Sequence, residues 1–184
     1  MSKRIALLSA AAFAALALTA TIAAPVSAQE KTVMVGGAAM FPSKNIIQNA
    51  VNSKDHTTLV AAVKAAGLVE TLEGKGPFTV FAPTNTAFGK LPAGTVDTLV
   101  KPENKATLTK ILTYHVVPGK LAASDLKDGM TLKTAEGEQL SVKHDGSKVW
   151  IIDAKGGQSM VTISNVNQSN GVIHVVDTVL MPAS

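Results

Sequence analysis

Histidines are the residues of this chain best suited to acid–base or metal chemistry, and their spacing favours neither. None of the four falls in an H-x-x-x-H or H-E-x-x-H pattern, which places two imidazoles on one helix face: His56, His115, His144 and His174. No serine lies in G-x-S-x-G, and the acidic residues lack calcium-loop spacing. The sequence therefore predicts no metal, no cofactor and no catalytic residue, although folding could still bring distant side chains together.

Tyr114 and His115 are adjacent residues that could contact a partner. They lie where a helix passes into extended chain, before Pro118 and Gly119. Both side chains have an apolar body and a polar tip, which suits a contact surface. An exposed His115 would titrate near about pH 6.5 and make binding pH-sensitive. The same properties suit a buried side chain with one hydrogen bond, and the two valines that follow favour burial, so both interpretations are compatible with the sequence.

His174 and Asp177 lie three residues apart on a predicted strand. Because side chains alternate along a strand, these two point to opposite faces and cannot form a direct His–Asp pair. Both faces are otherwise apolar, and buried polar groups need hydrogen-bond partners. We therefore expect a core histidine with its hydrogen bonds satisfied and a buried aspartate bonded to backbone N–H groups.

The stretch GPFTVFAPTNTAF, residues 76–88, combines a strand, a proline and a helix start. Its apolar first part is typical of a buried strand, and Pro83 ends the strand because proline has no N–H to donate. Thr84 and Asn85 can cap the helix that follows. The alternative, an anion held by free N–H groups at the helix start, lacks a glycine-rich cradle. We expect this corner to brace the fold, with three aromatic rings packed beneath it: Phe78, Phe81 and Phe88.

Residues 1–28 have the three parts of a secretion signal. A basic start is followed by an alanine-rich apolar run, and small residues at 26–28 suit cleavage before Gln29. A retained membrane anchor is the alternative, because the apolar run is about long enough to span a bilayer. We expect cleavage and a secreted or periplasmic protein with no stable membrane anchor.

The composition excludes several classes of function. Arg4 is the only arginine and the lysines are scattered, which argues against nucleic-acid binding because clustered basic residues usually recognise phosphates and base edges. With no cysteine, the chain has no disulfide, no thiol nucleophile and no thiolate metal site. Once Lys3 and Arg4 are removed, 15 lysines face 13 acidic residues, a net charge of +2. An exported domain of this kind must rely on its hydrophobic core for stability.

Helical patterns occupy the first half of the chain and strand patterns the second. Residues 29–42 are small and contain glycines, which indicates a flexible arm before a single domain at 43–182. Asn45 and Asp55 can cap two early helices, and Gly67 can end the second. In the second half apolar residues recur at every second position, with glycine-containing turns between them. This order predicts an α+β fold with a largely antiparallel sheet.

Three short stretches are specific enough to identify a family when taken together. They are GPFTVFAPTNTAF (76–88), YHVVPG (114–119) and NGVIHVVD (170–177), the last followed by Val-Leu and a proline. In this order and spacing, over residues 43–182, the chain closely resembles the fasciclin-like domain. The motif residues expected to support the fold are Phe78, Thr79, Phe81, Pro83, Thr84, Asn85, Phe88, Asn170, Gly171, His174 and Asp177.

The resemblance implies a wedge-shaped domain in which a sheet region of about seven mainly antiparallel strands packs beside several short helices. It also implies attachment and extracellular matrix roles without catalysis. In animal members a tyrosine–histidine stretch is implicated in receptor binding, and Tyr114 and His115 match it. The export signal on a single domain is similar to that of small secreted or periplasmic bacterial members.

The sequence leaves three functional hypotheses open. The first is an exported, non-enzymatic module, expected to be a monomer, that binds a cell-surface or matrix protein or a glycan. The second is a small-molecule or lipid binding protein that uses the crevice between sheet and helices. The third, an unrecognised hydrolase, lacks any nucleophile–base motif. An exposed Tyr114 or an apolar surface patch would favour the first hypothesis, and an enclosed apolar pocket would favour the second.

Overall fold

The computed structural model describes residues 31–183, so the predicted secretion signal at 1–28 lies outside the described residues. The helices in this part of the chain are α1 (Ile46–Ala50), α2 (Thr57–Ala66), α3 (Val69–Glu73), α4 (Asn85–Gly89), α5 (Thr95–Leu99) and α6 (Lys105–Tyr114). The strands are β1 (Val33–Val35), β2 (Ala38–Met40), β3 (Phe78–Pro83), β4 (Val116–Pro118), β5 (Thr131–Lys133), β6 (Gln139–Asp145), β7 (Lys148–Ile152), β8 (Gln158–Gln168) and β9 (Gly171–Val176). Of the helices just given, none is long and apolar enough to cross a membrane.

Seven of these strands form one sheet, in the order β4-β3-β9-β8-β7-β6-β5. Neighbouring strands are antiparallel except for β3 and β9, which run parallel with Phe78 opposite Gly171. β8 is the longest strand because its first part pairs with β7 and the rest pairs with β9. The predicted α+β fold, a mainly antiparallel sheet beside short helices, is confirmed.

Two hydrophobic cores lie on opposite faces of the sheet, because side chains alternate along β3 and β9. The helix-side core contains Val80 and Ala82 of β3 together with side chains of four helices: Ile46, Ile47, Leu59, Val63, Leu72, Leu108, Ile111 and Leu112. The strand-side core contains Phe81 of β3 and Val176 of β9 together with side chains of α6, β5, β6 and β7: Tyr114, Leu132, Leu140, Val142 and Ile151.

A β-hairpin occupies residues 33–40, where the sequence predicted part of a flexible arm over residues 29–42. β1 and β2 pair antiparallel around Gly36 and Gly37, whose φ angles are 56° and 76°. Two successive positive φ angles are the geometry that closes a two-residue hairpin, and glycine adopts them without strain. Val35 and Met40 are buried in the helix-side core. The prediction of an arm is therefore wrong for the hairpin, because the glycine pair is a turn between two short apolar strands.

Candidate functional site

The three characteristic stretches of the sequence become three neighbouring strands. β3 lies between β4 and β9, so Phe78 is opposite Pro118 on one side and Gly171 on the other. Residues that are far apart in the chain are thus brought into one region of the sheet.

Tyr114 is fully buried at the end of α6, with 0% of its surface exposed. Its hydroxyl donates to the carbonyl oxygen of Gln139 at 3.1 Å and accepts the N–H of Ala154 at 2.9 Å. Burial raises the pKa of this phenol, which keeps the hydroxyl protonated and able to donate. The side chain therefore ties α6 to the start of β6 and to the loop after β7.

His115 follows in the same buried region, with 2% of its surface exposed. Its Nδ1–H donates to the carbonyl oxygen of Ile111 at 2.8 Å, and its Nε2 accepts the N–H of Leu180 at 2.9 Å. These two bonds fix a single neutral tautomer, because a carbonyl can only accept and an N–H can only donate. Burial lowers the pKa of His115 to about 4.

The burial of both side chains gives Tyr114 and His115 a packing role in this conformation. Every polar atom of the two side chains is occupied by backbone groups. A partner could touch either side chain only if the junction of α6 and β4 opened. Direct partner contact through these residues stays a prediction, and the pH-sensitive contact expected of an exposed His115 does not apply to the buried ring.

His174 lies at the centre of β9 and is fully buried. Its Nε2–H donates to the carbonyl oxygen of Leu121 at 2.8 Å, and its Nδ1 accepts the N–H of Asn165 at 3.4 Å. The ring stacks on Phe81 with a centroid distance of 5.8 Å. Burial lowers the pKa of His174, so this ring also stays neutral at pH 7.

Asp177 lies just beyond β9 and is half-buried, whereas the sequence predicted a buried aspartate. The strand ends at Val176, which leaves 33% of the Asp177 side chain exposed. Its carboxylate accepts the N–H of Met160 at 2.9 Å and lies 3.4 Å from the ammonium of Lys90. Burial acts to raise its pKa, but these contacts and a hydrogen bond from Thr178 outweigh burial and lower the pKa.

Thr84 and Asn85 serve two different helices at the corner after β3. The Thr84 hydroxyl accepts the N–H of Ala87 at 3.2 Å and so caps α4, its own helix. The Asn85 Oδ1 atom instead accepts the N–H of Thr58 at 3.0 Å, in the first turn of α2. Asp55, the predicted cap of α2, lies inside the short 3-10 turn that precedes the helix, so that prediction is wrong.

The rest of this corner is packed or hydrogen-bonded within the fold. Thr79 is buried, and its hydroxyl donates to the Gly119 carbonyl at 2.7 Å while accepting the N–H of Leu121 at 2.9 Å. Pro83 is the last residue of β3 and is buried. Two aromatic rings are buried and one is half-buried: Phe81, Phe88 and Phe78.

Asn170 and Gly171 lock the turn between β8 and β9 to three other elements. The Asn170 Oδ1 atom accepts the N–H of Ile46, the first residue of α1, at 3.1 Å. Its Nδ2 donates to the carbonyl oxygens of Leu72 at 2.7 Å and Gly74 at 2.9 Å. Gly171 has no room for a side chain, because a Cβ there would overlap the carbonyl oxygen of Phe78.

A partly open cavity of about 90 Å³ lies between the helices and the sheet, where the second hypothesis requires a crevice. Its wall is almost entirely apolar, with side chains from α1, α2, β3, β8 and β9. His56 also lines it, and 4% of this histidine is exposed. No local sequence pattern marks His56 as a cavity residue, because the residues that line the cavity are spread from Val35 to Ile173.

The polar contacts of His56 are incomplete. Its Nδ1 lies 2.9 Å from the hydroxyl of Ser53, whereas its Nε2 has no hydrogen-bond partner. Burial lowers the pKa of His56. The backbone carbonyl of Ala82 lies near enough to the ring to act in the opposite direction, as the charge of Asp55 does, but no hydrogen bond of acceptable geometry forms at Nε2. Within residues 31–183, no three metal-ligating side chains lie close enough together to hold an ion.

The part of the chain that contains the seven-stranded sheet and all three characteristic stretches matches a known family. The fasciclin domain model aligns with residues 54–182. This chain belongs to the fasciclin domain family. The matched residues begin after the hairpin and α1, so those two elements precede the part of the fasciclin domain that the family model describes.

Relatives share most of the length of this fasciclin domain. It is 48% identical over 168 residues to Protein sll1483 of Synechocystis sp., covering 91% of this chain and 90% of that protein. It is 38% identical over 153 residues to the cell surface glycolipoprotein MPB83 of Mycobacterium bovis, covering 80% of this chain and 64% of the relative. The solved FAS1 domain pair of the insect cell adhesion molecule fasciclin I has the same fold, with a TM-score of 0.68 at 19% identity over 77% of this chain and 52% of that one.

Proposed function

We propose that this fasciclin domain is an exported, non-enzymatic module that binds a cell-surface or matrix protein or a glycan and so supports adhesion. The observation that carries the proposal is family membership over most of the chain. One relative is named a cell surface glycolipoprotein, and a solved member of the fold belongs to a cell adhesion molecule. These names support a location outside the cell and an attachment role.

The geometry of the motif residues supports a module without catalysis. The hydroxyl of Tyr114 and the ring nitrogens of His115 and His174 are bonded to backbone groups in the interior. A general base or nucleophile must instead reach the reacting atoms of a substrate. These side chains are better suited to holding strands and loops in place.

A partner surface is favoured at the amino-terminal end of the described chain. Its exposed large hydrophobic side chains are Met34, Phe41 and Val51, with 59%, 37% and 49% of their surface exposed. All three belong to the hairpin or to the chain flanking it and α1, and the ammonium of Lys44 lies 5.0 Å from the Phe41 ring. A contiguous exposed apolar patch is typical of a protein-binding surface, and these three side chains are the ones from which such a patch would be built. We propose that this segment contacts the partner.

The test is attachment of the purified secreted chain to cells, to matrix proteins and to a glycan array. The variant Met34→Ser/Phe41→Ser is compared with Lys133→Ser/Lys143→Ser, which changes two exposed residues of β5 and β6. We expect saturable binding that the first variant weakens at least about tenfold and the control leaves unchanged. Absence of saturable binding in every arm would overturn the proposed function. Binding lost in a folded His115→Gln protein, with the hairpin variant intact, would place the contact near His115.

A second candidate function, binding of a small apolar ligand, is favoured by one observation. The cavity between helices and sheet is concave and almost entirely apolar, which is typical of sites that take apolar molecules. Thermal melts with small apolar molecules test it, since a ligand that binds only the folded state raises Tm. An unchanged Tm across the panel would remove this candidate and leave the adhesion proposal as it stands.

A further inference from the structure

The buried polar atom left without a hydrogen bond is, within residues 31–183, Nε2 of His56. The same histidine lines the apolar cavity. Buried polar groups in folded proteins nearly always have a partner, so an orphaned atom at a cavity wall needs a physical explanation. Two independent features, empty space and an unsatisfied atom, therefore coincide at one place.

We propose that the cavity binds a small, neutral, largely apolar molecule whose single hydrogen-bond acceptor meets the Nε2–H of His56. This inference rests on the second candidate function and names the ligand class for it. Short ketones, ethers and alcohols belong to this class. His56 is the group that orients the ligand.

The hydrogen on Nε2 follows from the contact with Ser53. Ser53 is buried, with 2% of its surface exposed, and its hydroxyl lies 2.9 Å from Nδ1. When the hydroxyl donates to Nδ1, the serine donor is satisfied and Nδ1 is the acceptor. The neutral ring then carries its hydrogen on Nε2, so the ligand must supply an acceptor.

Water does not fit this site as well as an apolar molecule does. A buried water needs about two to four polar partners. The polar side chains of His115 and Thr113 in the wall already have hydrogen-bond partners within the protein. Both ring nitrogens of His115 are bonded, and the Thr113 hydroxyl donates to the Thr109 carbonyl at 2.8 Å. An apolar body with one acceptor satisfies Nε2 and keeps its other contacts with apolar side chains.

The wall also discriminates by charge and size. No aspartate, glutamate, lysine or arginine is among the residues that line the cavity, so a carboxylate would be buried without a counter-charge. The volume of about 90 Å³ is smaller than the engineered cavity of about 150 Å³ that binds benzene. A ligand of a few heavy atoms, such as 2-butanone, matches these limits.

The first experiment titrates the whole secreted chain with 2-butanone, butyrate and xenon at pH 7. NMR shifts are followed for methyl groups of Leu59, Val63 and Val80 in the cavity wall and of Leu140 and Val142 in the strand-side core as controls. We expect saturable shifts of the wall methyls with 2-butanone and xenon, and at least about tenfold weaker binding of the butyrate anion. Butyrate binding as tight as 2-butanone, or shifts confined to the control methyls, would overturn the proposal.

The second experiment compares His56→Phe, which has no donor, with His56→Gln, which keeps an N–H at the end of a side chain of similar length. We expect 2-butanone to bind His56→Phe about tenfold more weakly and His56→Gln within a few-fold of the natural chain, with xenon unaffected. Thermal melts establish that each variant is folded. If His56→Phe does not fold, the ¹⁵N shift of Nε2 in the natural chain decides, because a bound ketone must change it.

The two experiments test the role of His56 separately from the presence of an apolar ligand site. Xenon and 2-butanone binding that is indifferent to His56→Phe, or an unchanged Nε2 shift, would leave an apolar binding site and overturn the role of His56. Failure of both probes to bind would overturn both the ligand site and the second candidate function. Attachment to cells or matrix is measured separately and does not depend on either result.

Discussion

Buried histidines in the three motif strands differ in their hydrogen bonding from the buried histidine at the cavity beside them. In β4-β3-β9 and the α6 junction, His115 and His174 use both ring nitrogens, and every bond goes to a backbone group. At the cavity, His56 uses one nitrogen and leaves the other unpaired. His115 and His56 line the same cavity, so the difference lies in their partners and not in their depth.

This contrast separates residues that hold the fold from a residue available to a ligand. A satisfied buried group fixes the position of what it binds, and removing it leaves its partners orphaned. An unsatisfied polar group beside an apolar cavity costs stability until a ligand forms a hydrogen bond with it. Changes in the motif strands should therefore act mainly on the free energy of unfolding, and changes at the cavity should act mainly on ligand binding.

The largest effect is expected at the contact between β3 and β9. Gly171→Ala places a Cβ on the carbonyl oxygen of Phe78 and forces the parallel strands apart, so we expect a loss of about 3 to 4 kcal/mol in the free energy of unfolding. Gly89→Ala is the matched control, because a Cβ there meets no atom within 4 Å. Urea denaturation measures both, and a loss below about 1 kcal/mol for Gly171→Ala would show that this contact is not a brace.

Acid should destabilise the protein through its neutral histidines. The pKa of His115 is about 4 in the folded protein and about 6.5 in the unfolded chain, so its contribution is fully present above pH 6.5 and is lost as the pH falls toward 4. The loss from this residue is about 3 kcal/mol, and His56 and His174, whose pKa values are also lowered, act in the same direction. Urea midpoints between pH 7 and 4 measure the slope.

The control for the acid experiment is a variant with no titratable side chain at position 115. His115→Gln should be less stable at pH 7 but lose less stability on acidification than the natural chain. An equal slope in both proteins would mean that His115 is not held neutral by the fold. The contrast between His115, whose two ring nitrogens are both hydrogen-bonded, and His56 would then lose its main support.

Asn85→Ala should cost about 1 to 2 kcal/mol, a size typical of a lost helix cap. The side chain accepts the N–H of Thr58 at 3.0 Å and donates to the Lys54 carbonyl at 2.8 Å, so its loss leaves the start of α2 without these bonds. The neighbouring exposed Thr86→Ala should change stability by less than about 0.5 kcal/mol. Equal effects of the two variants in thermal melts would contradict the capping role.

The smallest effect is expected at the cavity wall. Val80→Ile adds one methylene toward empty space, and we expect stabilisation of up to about 0.8 kcal/mol together with weaker 2-butanone binding. Val149→Ile, in β7 and outside the cavity, should alter neither stability nor binding appreciably. Destabilisation of Val80→Ile by more than about 1 kcal/mol would mean that the wall has no space to fill.

Local sequence signals predicted the helices and strands of this fold better than the contacts between distant parts of the chain. Asn45 caps α1 with Gln48 in a reciprocal pair three residues apart, and Gly67 ends α2 with a φ of 73°, so both were visible in a short window of sequence. The cap of α2 comes from Asn85, 27 residues beyond Thr58, and no local pattern marks it. The glycine pair of the hairpin fits a linker and a turn equally well, and burial of Val35 and Met40 decides between them.

The candidate site shows the same division between local and distant information. The strand and corner at 76–88 followed from apolar runs, proline and capping residues. The bonds of Asn170 to Ile46 and Leu72 span 124 and 98 residues, and the cavity is lined by elements from across the chain. Burial of Tyr114 and His115 was open for this reason, because their side chains suit both interior and surface and only the packed fold decides.

The pairing of β3 with β9 also has a consequence for when the chain can fold. β9 is the last strand in the described residues but lies inside the sheet, about 90 residues after the partner that it meets there. Closing so long a loop costs entropy before any contact offsets it, so β3 has no central partner until synthesis has passed residue 176. The central pair of the sheet is therefore completed only after β9 has left the ribosome, late in the synthesis of this domain.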